Sequence, residues 1–189
     1  MHMPDTARRW TRDQVLALPD DRNRYELLDG ELLVSPSPNV PHQVAVAALS
    51  YRISAYVEEH GLGLLPLFSP ADLDFRAGQL LQPDLFVVSL ETGRRVIEWS
   101  DFGIPLLVVE VPSPSTAFQD RNRKRVRYQK SGVGEYWIVD TDARLIERWK
   151  PDDDRPEILT DRIEWQPDRN RPPLVIDLPP FFREVWRES

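Results

Sequence analysis

A chain of 189 residues and 22.0 kDa fits the roughly 100 to 200 residues of one domain with one core, and 41% hydrophobic with 10% aromatic residues excludes a chain too polar to fold. The absence of cysteine excludes disulfides, thiolate zinc sites, iron-sulfur clusters and a cysteine nucleophile. Twenty-four basic against 31 acidic residues, a net charge of −7, exclude a surface basic throughout but leave room for a local basic groove. The three histidines, His2, His42 and His60, lack the spacing of a metal-binding helix. Any metal must therefore rest on carboxylates, which suits Mg2+ or Mn2+. No apolar stretch approaches about 20 residues and no signal-peptide core follows the N-terminus, so a cytoplasmic protein without membrane contact is expected.

Residues 1–10 read as a loosely ordered arm. Thr11-Arg12-Asp13-Gln14 has the form of a capping box and predicts a short helix ending before Pro19. Tyr25–Leu28 and Glu31–Val34 flank Asp29-Gly30, a pair that tolerates the positive φ of a type I′ turn, and predict a hairpin. Prolines 36, 38 and 41 end it. From His42 to His60, Val44, Ala47, Ala48, Tyr51, Ala55 and Val57 approximate helical spacing, with Gly61 placed to stop the helix. Leu85–Val88 and Leu106–Val111 read as strands covered on both faces, and these two are where parallel pairing is expected. Thr116–Gln119 fits a second capping box, predicting a helix over 117–131 before Gly132. Tyr136–Val139 and Leu145–Trp149 form a second hairpin, and short strands and a terminal helix complete the chain. The order predicts a single α/β domain over 1–189, a mixed sheet with helices against it.

Two acidic residues interrupt this apolar frame. Asp84 heads one strand and Glu110 lies near the end of another, and a buried carboxylate costs several kcal/mol unless paired, hydrogen-bonded or bound to metal. Glu110 is either such a group or the last strand residue, facing water beside Pro112. Glu26 breaks an apolar run in the same way, or is a surface charge beside Arg24. Residues 120–130 carry six positive charges against one negative. On a helix Asp120, Lys124 and Tyr128 share one face, while Arg121, Arg123, Arg125, Arg127 and Lys130 spread over the others. This is either a surface for a phosphate backbone or a solvated face. Asp84 and Glu110 as metal ligands, with Lys124 to orient water or stabilise developing charge, have the composition of a phosphodiester-cleaving site.

Tyr25-Glu26-Leu27-Leu28-Asp29-Gly30-Glu31-Leu32, Pro83-Asp84, Val109-Glu110-Val111-x-Ser113-Pro114-Ser115-Thr116 and the ordered set Asp120, Lys124, Tyr128, Gly132-Val133-x-Glu135-Tyr136-Trp137-Ile138-Val139-Asp140 resemble the Uma-type (Uma two) restriction-endonuclease family of the PD-(D/E)xK nuclease superfamily, over about residues 11–185. The resemblance implies a restriction-endonuclease-like fold, a central mixed sheet flanked by helices, with a divalent metal and DNA as substrate. It implies catalytic roles for Glu26, Asp84, Glu110 and Lys124. The superfamily's usual lysine stands two residues after the acidic one, where this chain has Pro112, so the resemblance moves that role to Lys124. It also singles out His42, for which a helix cap is the alternative reading. Cutting two strands predicts a homodimer about a twofold axis. A catalytically weak nucleic-acid-binding or protein-interaction module on the same fold is the competing reading.

Overall fold

Asp29 (φ 55°) and Gly30 (φ 83°) take the left-handed backbone of a two-residue turn, joining β1 (Arg24–Leu28) to β2 (Glu31–Ser35) with Leu28 opposite Glu31. This computed structural model describes residues 9–21, 23–75, 79–90 and 102–188; most of the N-terminal arm, with His2, lies outside them. The first capping box forms: Thr11 and Gln14 exchange side-chain-to-backbone hydrogen bonds and open α1 (Arg12–Leu16).

Helix α2 (Val40–Glu59) starts two residues earlier than the apolar spacing predicts, because the Asn39 side chain accepts from the His42 N–H at 2.9 Å and Pro41 fits the first turn. Its buried stripe also differs. The expected Ala48 and Val57 face inward with His42, Ala45, Val46, Leu49, Ile53 and Tyr56, whereas Tyr51 is 74% exposed. The helix carries small or apolar residues nearly all round, so spacing alone does not select its inner face.

There follow β3 (Leu64–Phe68), the short β4 (Leu73–Asp74) and β5 (Leu80–Leu81), β6 (Leu85–Ser89) and β7 (Leu107–Glu110). A π-helix over Gln119–Lys124 runs into α3 (Arg125–Lys130). The chain ends with β8 (Glu135–Asp140), β9 (Leu145–Trp149), β10 (Glu157–Leu159), β11 (Arg162–Trp165), β12 (Leu174–Asp177) and α4 (Leu178–Trp186). Six strands form the main sheet in the order β10-β9-β8-β7-β6-β3, four form a smaller sheet β2-β1-β5-β4, and β11 pairs with β12.

Against expectation, β6 and β7 pair antiparallel, Leu85 opposite Val109. Parallel pairing falls one strand further on, between β7 and β8, with Leu107 opposite Glu135. A parallel pair needs a crossover, and the helical segment after β7 supplies it. The expected Thr116 cap is absent; Thr116 Oγ1 accepts from Ser113 N at 3.0 Å in a tight turn, and the π-helix has no side-chain cap. Where β8 meets β7, Gly134 leaves no room for a side chain: a Cβ there would stand 2.6 Å from the Leu106 carbonyl oxygen.

Alternation divides the main sheet between two cores. Leu85, Val87, Leu107, Val109, Trp137 and Val139 pack against α2 and α4. Phe86, Val88, Val108, Tyr136 and Ile138 pack against the smaller sheet and Tyr128 of α3.

Candidate active site

The period of two that builds the second core also builds the site. Glu26 shares a face of β1 with Leu28, Asp84 precedes Leu85 on the Phe86 face, and Glu110 follows Val109 on the Val108 face. The β6–β7 register sets Asp84 across from Glu110. The widened π-turn directs Asp120 and Lys124 at the same point. Glu26, Asp84, Glu110, Asp120 and Lys124 are each 1–2% exposed.

At one end of the cluster Asp84 is held by three groups. Arg24 Nη1 donates to Asp84 Oδ1 at 2.6 Å, the Val111 N–H donates to Oδ2 at 2.8 Å, and His42 Nε2 lies 3.3 Å from Oδ1. The other ring nitrogen, Nδ1, is 2.8 Å from the Val111 carbonyl oxygen; a carbonyl only accepts, so Nδ1 carries the proton of that bond. The His42 side chain therefore belongs to the site, and it is the His42 backbone N–H that completes the helix cap. Burial alone would raise the Asp84 carboxyl. The His42 ring 3.3 Å away, the Arg24 charge and the Val111 N–H outweigh it and hold Asp84 well below the usual carboxylate range.

At the other end Lys124 Nζ stands 2.8 Å from Glu26 Oε2, 3.1 Å from Glu110 Oε1 and 3.2 Å from Asp120 Oδ1. Only the Glu110 contact has hydrogen-bonding angles, so Glu26 Oε2 and Asp120 Oδ1 are buried with an ionic neighbour and no hydrogen bond. Tyr128 donates to Glu110 Oε1 at 3.0 Å, and the Gln82 N–H donates to Glu26 Oε1 at 2.9 Å. Burial, reinforced by Asp120, Asp84 and Glu26 and opposed by Lys124, pushes the Glu110 carboxyl well up. Burial would lower the Lys124 ammonium, but Glu110, Glu26 and Asp120 outweigh it and hold it well above the ordinary lysine range.

The basic helix does not present the open cationic face that its composition suggests. Arg121 donates to Glu147 and Asp140, Arg123 pairs with Glu31, Arg127 with Asp29, and Arg125 lies over the Trp149 ring at 4.5 Å. Lys130 is exposed.

Four carboxylates, Glu26, Asp84, Glu110 and Asp120, meet two permanent cations, Arg24 and Lys124. The donors are hard oxygens, so donor type fits Mg2+ or Mn2+. Among the described residues no three acidic or histidine side chains gather closely enough to hold an ion by themselves; Arg24 and Lys124 stand against the carboxylates instead. Sequence reasoning named Arg24 only as a neighbour of Glu26 and gave it no role. The available signal was its position two residues before Glu26, on the same face of β1.

A mixed sheet flanked by helices, with buried acidic residues and a lysine gathered over one of its faces, defines a nuclease-like α/β fold. Its likeness to a solved structure supports the same architecture: the crystal structure of "a putative nuclease belonging to DUF820" from Anabaena variabilis matches with a TM-score of 0.74 and 17% identity, over 93% of this chain and 98% of that one. Residues 12–188 match the Uma2 family, described as "Putative restriction endonuclease", and the chain belongs to that family. No curated protein matches it. Among the described residues no helix is long and apolar enough to cross a membrane.

Proposed function

We propose that this chain is a Mg2+- or Mn2+-dependent DNA endonuclease. The observation that carries the reading is the convergence of Glu26, Asp84 and Glu110 with Lys124, drawn from four separate stretches of sequence into one buried cluster. Asp84 and Glu110 would hold the cation, which when bound supplies a Lewis acid for the phosphoryl oxygen and acidifies water. Glu26 fixes Lys124 through its carboxylate and is itself fixed by the Gln82 N–H. Lys124 holds its ammonium beside Glu110, where it can orient a water or counter charge developing on the phosphate. His42 and Val111 hold Asp84 in orientation. Two copies about a twofold axis would serve the two strands of a duplex, giving a particle of twice 22.0 kDa, and the cytoplasm is the compartment in which we place it.

The test is incubation of supercoiled and linear DNA with and without Mg2+ or Mn2+, beside Asp84→Ala. Metal-dependent cutting that Asp84→Ala abolishes supports the reading; absence of cutting with either metal, or equal cutting by the variant, overturns it. One observation favours the binding module instead: Arg24 and Lys124 form direct ion pairs with Asp84 and Glu110. That reading takes over if duplex DNA is bound and left intact.

A further inference from the structure

Arg24 does more in this geometry than neutralise Asp84. Among the described residues its hydrogen bonds both use one nitrogen: Nη1 donates to Asp84 Oδ1 at 2.6 Å and to the Gln82 carbonyl oxygen at 2.9 Å. Two bonds use both hydrogens of Nη1. The opposite edge of the guanidinium carries the Nε–H and one Nη2–H side by side, the spacing that meets two oxygens of a phosphate. The side chain is 18% exposed and lines an open cleft of about 310 Å³ together with His42, Asp84, Gln82, Asn23 and Ser69. Among the described residues lining that cleft, Arg24 is the one permanent cation. The arginines of the basic helix are turned to carboxylates and a ring elsewhere in the fold.

We propose that Arg24 is the phosphate-binding residue of this site, tethered through Nη1 to Asp84 and Gln82 and offering its Nε–Nη2 edge to a backbone phosphodiester in the cleft. The proposal rests on the nucleic-acid reading above and adds to it the group that docks the phosphate next to Asp84. An arginine suits the position because its fork can hold the protein with one edge and the ligand with the other, which a lysine ammonium cannot do with the same geometry.

Arg24→Lys keeps a positive charge beside Asp84 and removes the two-pronged edge; Arg24→Gln removes the charge and keeps an N–H donor. Binding of a fluorescent duplex is followed by anisotropy over a salt series, with thermal melting and Mn2+ calorimetry on the same preparations. For a variant that melts like the wild type, the expected result is at least a tenfold loss of duplex affinity with Mn2+ affinity retained in Arg24→Lys. In Arg24→Gln the slope of log affinity against log salt falls by about 0.9, the value of one phosphate contact. Wild-type affinity and slope in a native-melting variant overturn the proposal. So does a loss of affinity accompanied by an unchanged slope in Arg24→Gln, which marks a structural role. Failure of the nuclease reading registers separately, as no cutting by the wild-type protein, and leaves duplex affinity to judge Arg24.

Discussion

Replacing Lys124 by methionine keeps most of the side-chain volume and removes the ammonium. Three buried carboxylates then lose the cation that stands 2.8, 3.1 and 3.2 Å from their oxygens. Removing one partner of a buried ion pair costs about 3–5 kcal/mol, because the remaining charge is left uncompensated in a poorly polarisable interior. Of the three partners Glu26 is the nearest, and its Oε2 has no hydrogen bond to fall back on. For a domain of this length each kcal/mol moves the melting temperature by about 2–4 °C, so Lys124→Met should melt about 6–20 °C below wild type. Urea unfolding at pH 7 in EDTA measures the loss directly. The decisive arm is the pair Lys124→Met with Glu26→Gln: removing the orphaned charge should restore about 1 kcal/mol or more relative to additivity, the coupling typical of contacting groups. A cost below about 1 kcal/mol for Lys124→Met, or strict additivity in the double variant, would refute the view that these charges are mutually compensating.

Asp84→Asn keeps the shape and an acceptor for the Val111 N–H but loses the charge opposite Arg24; we expect DNA cleavage to fall at least about a hundredfold, judged by single-turnover assays, with a stability cost of about 1–3 kcal/mol. Gly134→Ala must move β8 away from β7, since its Cβ would meet the Leu106 carbonyl at 2.6 Å, and should cost about 1–3 kcal/mol in denaturant unfolding. Arg121→Ala breaks a partly exposed bridge to Asp140 and Glu147, worth about 1 kcal/mol or less, and should leave the affinity for duplex DNA unchanged; a drop in affinity would return Arg121 to the DNA surface.

Local chemistry made some of this legible in the sequence and long-range contact hid the rest. The Asp29-Gly30 turn and the Thr11 capping box each follow from three or four adjacent residues, and both form as read. Asp84 and Glu110 stand out because an acidic residue in an apolar run demands compensation. The nature of that compensation is not local: Arg24 meets Asp84 across 60 residues of chain, and Gln82 contributes through its backbone, which no side-chain pattern marks. The partners of the cations on the basic helix stayed hidden for a similar reason. They lie elsewhere in the chain, Glu31, Asp140 and Glu147 on strands and Asp29 in the hairpin turn, and a charge run on one helix says nothing about the carboxylates a fold will set opposite it. The inner face of α2 stayed hidden because its outer face is nearly as apolar.

The π-helix over Gln119–Lys124 makes this stretch unequally tolerant of different kinds of change. Its hydrogen bonds close over one residue more per turn than those of an α-helix, so the segment holds a residue that regular winding would not need. Substitution at an outward position such as Asn122, which is exposed, leaves the winding alone. A length change that this wide turn does not absorb rotates everything beyond it by about 100°, the angular step of an α-helix residue. Either Lys124 or Tyr128 then leaves Glu110, or the whole of α3 must turn against the sheet. Chain length between Ser113 and Gly132 is therefore constrained more tightly than residue identity there, and insertions or deletions among related chains should fall outside it.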